Sequence, residues 1–264
     1  MNLQPVSHER HQTRRWIRFP DYHFTASYSW APLAAAEVTK AALALPLAFI
    51  ERAGQWSLVG VLGLKPDQNL YVTPDGQWIG SYIPAVFRAF PFSMRRSETG
   101  EVILCVDEGS GLVLESGEGE PFFGEGGEPS DSIKQVLSFL SETAKSEAVL
   151  TQACGALHAQ GVFEPWPITI DGDEGQQQVG GLYRINEAAL NRLDDVSFNQ
   201  LRRAGVVPLA YAQLLSIGNL TDLARLAQAR AQAEAAERAR AEVKPMVVLP
   251  DDNTIDWDWS KIGR

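Results

Sequence analysis

The apolar residues of this chain come in short runs separated by turn residues, and this spacing limits the folds open to it. The longest apolar run, residues 41–50, has ten residues and contains Pro46. A bilayer span needs roughly 20, so we expect no membrane span. Three pairs of runs have the pattern of a β-hairpin: 46–52 with 55–63, 91–97 with 101–108, and 162–170 with 178–186.

Helix-forming segments alternate with these hairpins. The first three segments are 33–44, which stops near Pro46, 82–90 with Pro84 in its first turn, and 131–153, which Ser130 or Pro129 opens. Three short segments near 186–193, 196–204 and 207–216 follow, and then a long one from Asn219 or Thr221 to Pro245. A short strand is also predicted at 70–72. The predicted fold class is α+β, an antiparallel sheet built from β-hairpins with packed helices and a C-terminal helical segment.

Composition divides the chain into three parts. Residues 1–21 are polar and basic, and we expect a loosely held arm. The spacing of His8 and His11 is compatible with a metal contact, but we favour solvated side chains. Residues 22–225 form the compact α+β domain, within which the glycine-rich acidic stretch 109–130 is predicted to be a mobile loop with a short strand at 112–114. Residues 226–264 comprise an alanine-rich helix and an acidic tail that carries Trp257 and Trp259.

Charge and cysteine content exclude several functional classes. The 23 basic and 33 acidic residues give a net charge of −10, which argues against nucleic-acid binding. The two cysteines, Cys105 and Cys154, are too few for a disulfide framework and suit a reducing compartment. The basic N-terminus is followed by no apolar stretch typical of a secretory signal, so the expected location is cytoplasmic.

Standard catalytic motifs are absent from the sequence. It contains no GxxxxGK[ST], HExxH, CxxC or GxSxG pattern, so no metal, cofactor or catalytic residue is predicted. Asp171, Asp173 and Glu174 place three carboxylates in one turn, which is compatible with a bound cation. That turn lacks the twelve-residue frame of a calcium loop, and we favour a plain hairpin turn.

The segment 69–92 is the most informative part of the chain because aromatic residues and prolines are dense there. Arg88 is its one charge in the second half, and it stands among Tyr82, Phe87, Phe90 and Phe92. Two interpretations remain open. The guanidinium either is buried and braces the core through backbone carbonyls, which we favour, or binds a ligand.

This segment and its flanks resemble the SapC family, whose name comes from a locus for surface-layer proteins. The matching residues are Phe24, Pro32, Leu33, Glu37, 46–49, Gly63, 69–72, Gly76, Trp78, 82–85, Arg88, 90–92, Asp171, Gly172 and the block 201–220. The chain departs from the family pattern at Ala89 and Phe90, where members have a second basic residue and a tyrosine. The resemblance implies a domain over about 22–225 and a surface-associated context, and it carries no catalytic residues.

Two functions are compatible with these observations. The favoured one is a non-enzymatic structural or interaction protein, in a surface-associated or virion-type assembly, with protein partners or further copies docking through the C-terminal helix and the two tail tryptophans. The alternative is a small-ligand-binding protein or an enzyme. Its pocket would contain Trp78, Tyr82, Arg88 and Phe92, with Asp75 or Asp171 as acid or base.

Overall fold

The computed structural model describes residues 2–97, 100–172 and 175–241. The helices are α1 (His8–His11), α2 (Val38–Ala42), α3 (Ala85–Arg88), α4 (Asp131–Ala159), α5 (Glu187–Asn191), α6 (Asp195–Arg203), α7 (Val207–Ser216) and α8 (Leu220–Ala241). The strands are β1 (Leu3–Pro5), β2 (Arg15–Trp16), β3 (Trp30–Pro32), β4 (Leu47–Arg52), β5 (Gln55–Val61), β6 (Phe92–Arg96), β7 (Val102–Asp107), β8 (Val113–Leu114), β9 (Glu120–Pro121), β10 (Phe163–Pro165), β11 (Ile168–Gly172), β12 (Gly175–Val179) and β13 (Tyr183–Ile185). The predicted α+β fold is confirmed.

The largest sheet is antiparallel and has the strand order β10-β13-β4-β5-β3. Its central hairpin, β4–β5, turns at Ala53 and Gly54, whose φ angles are 51° and 77°. Positive φ at both positions is what a two-residue turn needs to match the twist of the strands. Helix α4 packs on β5, and α7 packs on β4 and β13.

Helix α7 is joined to two strands of this sheet by the buried side chain of Gln213. Its Nε2 donates to the Leu47 carbonyl at 3.0 Å, and its Oε1 accepts from the Ile185 amide at 2.9 Å. Ser216 Oγ accepts from the Leu47 amide at 3.0 Å. These bonds satisfy backbone groups that would otherwise be buried without partners.

A second, smaller core lies beside a three-stranded sheet of order β1-β7-β6. Another short sheet, β8-β2-β9, borders it. The side chains that share this core are Trp16, Phe92, Leu104, Val106, Phe122 and Ile133.

The structure corrects the prediction of a loosely held N-terminal arm. Strand β1 pairs with β7, and β2 pairs with both β8 and β9. Trp16 is buried in the second core and His11 is fully buried, whereas His8 is exposed as expected. The basic composition of residues 2–21 is explained by long-range ion pairs, because Arg10 and Arg14 both contact Glu108 at 2.6 Å.

Three further predictions need correction. The stretch 109–130 is not a free loop, because Phe122 is fully buried and strands β8 and β9 both pair with β2. Strand β8 confirms the short strand predicted at 112–114. Residues 70–72 form no strand but a single bridge from Val72 to Trp78. Helix α3 has only four residues of the predicted 82–90, and Pro84 precedes it as the N-cap residue and is not part of its first turn.

The chain divides into two units, with the boundary between Ala227 and Gln228. In the second unit the described residues 228–241 are helical, as predicted, and every residue of 231–240 is exposed. Trp257 and Trp259 lie outside the described residues. Within the part of the chain that the structure describes, no helix is long and apolar enough to cross a membrane.

Candidate functional site around Arg88

Arg88 ends α3, and its guanidinium folds back on the same turn of the chain. Nε and Nη2 both donate to the Ile83 carbonyl, at 3.1 and 2.7 Å. The guanidinium carbon lies 5.2 Å from the centre of the Tyr82 ring, within the range of a cation–π contact. The backbone contact is as predicted, but the predicted burial of Arg88 is wrong, because the side chain is exposed at the surface.

Glu37 fixes the residues around Arg88 from the other side. Its Oε1 accepts from the Tyr82 hydroxyl and from the Ala85 amide, both at 2.7 Å, and Oε2 accepts from the Ala34 amide at 2.9 Å. Glu37 is only 6% exposed, so these three bonds replace the hydration of its carboxylate. The segment 34–37 is thereby locked to 82–85.

Burial, assisted by the hydrogen bond to Glu37, raises the pKa of Tyr82 to about 12. Its hydroxyl therefore stays protonated at neutral pH and serves as a donor to the carboxylate. Both oxygens of Glu37 are occupied by donors. The Glu37–Tyr82 pair is consequently suited to bracing the fold more than to moving a proton.

Trp78 contacts the backbone of the segment that carries Tyr82. Its Nε1 donates to the Tyr82 carbonyl at 3.1 Å, and its ring stacks on Tyr71 with 5.7 Å between the ring centres. Phe92 is buried in the second core, where it meets Trp16 edge to face at 4.9 Å. Both residues are thus packing residues close to Arg88.

Two grooves meet at Arg88 and run along helix α4. The first, here called the polar groove, has a volume of about 530 Å³ and is lined by Ala34, Ala36, Glu37, Lys40, Tyr82, Ala85, Arg88, Phe139, Glu142, Thr143, Lys145, Ser146 and Val149. The second, the aromatic groove, has a volume of about 310 Å³ and is lined by Trp16, Arg18, Phe19, Arg88, Ala89, Phe90, Phe92, Ser132, Gln135, Val136 and Phe139. Arg88 and Phe139 belong to both.

The predicted site residues therefore separate into three groups. Tyr82, Arg88 and Phe92 line the two grooves, whereas Trp78 lies behind the polar groove as its brace. Asp75 is exposed in the turn after Pro74, where the hydroxyl of Thr73 is the largest cause of its lowered pKa. Asp171 lies on β11, which pairs with β12 alone in its two-stranded sheet. Asp173 and Glu174, the other carboxylates of that turn, lie outside the described residues.

Sequence reasoning missed the role of Glu37 and the Glu108 cluster. Glu37 was noted only as a match to the family, although it and Lys40 are the only charges in the alanine-rich stretch 33–44. Glu108 receives Nε and Nη2 of Arg10 at 2.6 and 2.7 Å and Nη1 of Arg14 at 2.6 Å. The hydrogen bond from Arg10 is the largest cause that lowers the pKa of Glu108 to about 2. No local signal links these residues, because about a hundred positions separate them.

The nucleophilic and metal-binding potential of the described residues is small. Both cysteines are free and buried, and burial raises the pKa of Cys105 and brings that of Cys154 to about 12. Such thiols are poor nucleophiles at neutral pH. Among residues 2–97, 100–172 and 175–241, no three histidine, cysteine, aspartate or glutamate side chains lie close enough together to hold a metal ion.

The family model SapC matches residues 6–223 of the chain. The chain belongs to the SapC family. The SapC match covers both cores, Arg88 and the two grooves, and it includes most of the N-terminal segment that composition alone had set apart. It ends before the exposed part of α8. Neither a curated protein nor a solved structure matches the chain.

Proposed function

We propose that this SapC protein is a non-enzymatic interaction protein that takes part in a surface-associated or virion-type protein assembly through its C-terminal segment. The observation that carries the proposal is the exposure of all ten residues of 231–240 in α8. Ala, Arg, Gln and Glu favour a helix by intrinsic propensity, so a helix of this composition can persist without a packed face. A helix exposed around its whole circumference is available to a partner.

Two further points support the proposal. The tail beyond α8 carries Trp257 and Trp259, and tryptophan is enriched among residues that dominate binding energy. The groups of the Arg88 site that could exchange a proton, the Glu37 carboxylate and the Tyr82 hydroxyl, are hydrogen-bonded within the fold. The expected location is the cytoplasm or a larger assembly that forms there.

The size of the native complex tests this function. A tagged chain expressed from its own locus would be followed by size-exclusion chromatography of a gentle extract. We expect elution far above the 29.0 kDa of the single chain, and a return to that size in the double variant Trp257→Ala, Trp259→Ala. The matched control is Val247→Ala, Val248→Ala in the same tail. Elution of the wild-type chain at 29.0 kDa would contradict the proposal.

A second candidate function is favoured by the polar groove. Lys40, Arg88 and Lys145 line it, and Glu142 neutralises Lys145 at 2.8 Å. Two cations remain for a small anionic ligand. Native mass spectrometry of the chain purified from its host tests this candidate, which predicts a bound small molecule that is lost in Lys40→Gln and retained in the exposed control Lys134→Gln.

A further inference from the structure

The aromatic groove is shaped for one large side chain. Trp16 and Phe92 form its buried part, and Phe19, Phe90 and Phe139 are half-buried, so parts of their rings face the open volume. A volume of about 310 Å³ is at the lower end of the range of small-molecule pockets. An inserted aromatic ring would gain apolar contact and edge-to-face packing in this space.

Two arginines flank these rings. Arg88 is exposed where α3 ends, and the side chain of Arg18 is 75% exposed, with its Nε 3.4 Å from Glu120. None of the described residues that line the aromatic groove is acidic. In a protein whose net charge is −10, its rim therefore carries the positive charge of Arg88 and that of Arg18, which Glu120 partly offsets at 3.4 Å. The ligand that fits is an aromatic side chain with carboxylates beside it.

The chain itself contains such a segment. Residues 256–259 read Asp-Trp-Asp-Trp, and Asp251 and Asp252 precede them. Each tryptophan is thus next to an aspartate. This order complements the groove, in which aromatic rings lie next to Arg18 and Arg88. Trp and Arg are the residue types most enriched at binding hot spots.

We propose that the aromatic groove of one copy binds the Asp256–Trp259 segment of a second copy, with a tryptophan among the rings and an aspartate on Arg88 or Arg18. This inference rests on the proposed assembly function and names the aromatic groove as the surface that binds the tail. Donor tail and acceptor groove are different surfaces, so the contact is heterologous when each copy passes its tail to the next and does not exchange tails with one partner. A heterologous contact repeats from copy to copy and builds rings or filaments, as an assembly component requires.

A peptide-binding experiment tests the groove. The probe is a fluorescein-labelled peptide of residues 251–264, and the receptor is the full chain carrying Trp257→Ala and Trp259→Ala, so that its own tail does not compete. Adding Arg88→Gln to the receptor should weaken binding about tenfold, and adding Arg18→Glu about threefold. Arg192→Gln, an exposed arginine outside the groove, should leave binding unchanged. A peptide with both tryptophans replaced by alanine should bind about 30-fold more weakly.

Arg18→Glu keeps the test valid if Arg88→Gln disturbs α3, because Arg18 is an exposed side chain with one marginal contact. Equal affinity of the Arg18→Glu, Arg88→Gln and Arg192→Gln receptors, or no binding to the parent receptor, would overturn the inference.

Complementation shows whether the segment comes from a second copy. The groove variant, Arg18→Glu with Arg88→Gln, keeps its tail, and the tail variant, Trp257→Ala with Trp259→Ala, keeps its groove. Each alone should sediment as a monomer, and an equimolar mixture should form a one-to-one complex. A mixture that stays monomeric overturns docking between copies. If the tail variant still dissolves the native complex in that case, the assembly function stands and only the groove is wrong.

Discussion

Glu37 offers the sharpest test of how the Arg88 site is built. In Glu37→Gln, the amide oxygen can replace Oε1, which accepts from Tyr82 and Ala85, but the NH₂ group then faces the Ala34 amide. One buried donor loses its acceptor, and the remaining bonds lose the charge of the carboxylate. Hydrogen bonds to charged groups contribute about 1.5–3 kcal/mol each, and an unsatisfied buried donor costs about 1–3 kcal/mol.

We therefore expect Glu37→Gln to lower the free energy of unfolding by about 3 kcal/mol. For a domain of this size that corresponds to a fall in Tm of about 6–12 °C. Urea unfolding followed by circular dichroism gives the free energy, and scanning calorimetry gives the Tm. The matched control is Glu142→Gln, because the side chain of Glu142 is 69% exposed and pairs with Lys145 on the surface. The control should change stability by less than about 0.5 kcal/mol.

A double-mutant cycle with Tyr82→Phe separates the pairwise contribution from the general cost of substitution. We expect a coupling energy of about 1–2 kcal/mol between positions 37 and 82. If Glu37→Gln is as stable as the control, or if the coupling energy is zero, Glu37 does not lock the two segments together and the reasoning is refuted.

Three further predictions concern the rest of the domain. The pKa of Glu108 is about 2, below its ordinary 4.5, so the stability that Glu108 provides is present above pH 4.5 and is lost as the pH falls towards 2. Because solvent screens its partly exposed arginine partners, Glu108→Gln should cost about 1 kcal/mol at pH 7 and only a small part of that at pH 2 in urea unfolding. An equal cost at both pH values would contradict the ion pairs. Phe122→Ala should lower the free energy of unfolding by about 3–5 kcal/mol in the same assay, since its fully buried ring belongs to the second core. A loss below about 1 kcal/mol would instead support the prediction of a mobile loop at 109–130. Cys154, whose pKa is about 12, should react with a disulfide reagent only as fast as the protein unfolds, and reaction at the rate of a free thiol would exclude its burial.

Local patterns predicted the elements whose causes are local. The β4–β5 hairpin was recognisable because its two turn residues separate two apolar runs. Helix α4 was recognisable because Ser130 can cap it, and the Ser130 hydroxyl does accept from the Ile133 amide at 3.3 Å. Its C-terminal end at Ala159 lies six residues beyond the predicted one, because the last turns pack Cys154 and Leu157 into the core.

Predictions failed where the decisive contact is distant in sequence. The basic N-terminal segment has the composition of a solvated arm, but Glu108 neutralises Arg10 and Arg14 from almost a hundred residues away. The acidic stretch 109–130 has the composition of a mobile loop, but Phe122 anchors it in the second core. Glu37 is bonded to Tyr82 and Ala85, which are more than 40 residues away in the sequence, so the local sequence around Glu37 did not indicate that it is buried.

The direct test of the assembly account is hydrogen exchange at the exposed part of α8, measured in the native complex and in the purified tail variant Trp257→Ala, Trp259→Ala. The account predicts that amides of residues 231–240 exchange at least about 100-fold more slowly in the complex, because docking adds to the weak protection of an unpacked helix. It also predicts slower exchange around Arg88, at the aromatic groove. Equal exchange rates in the two samples at both places would contradict a role for the C-terminal segment in assembly.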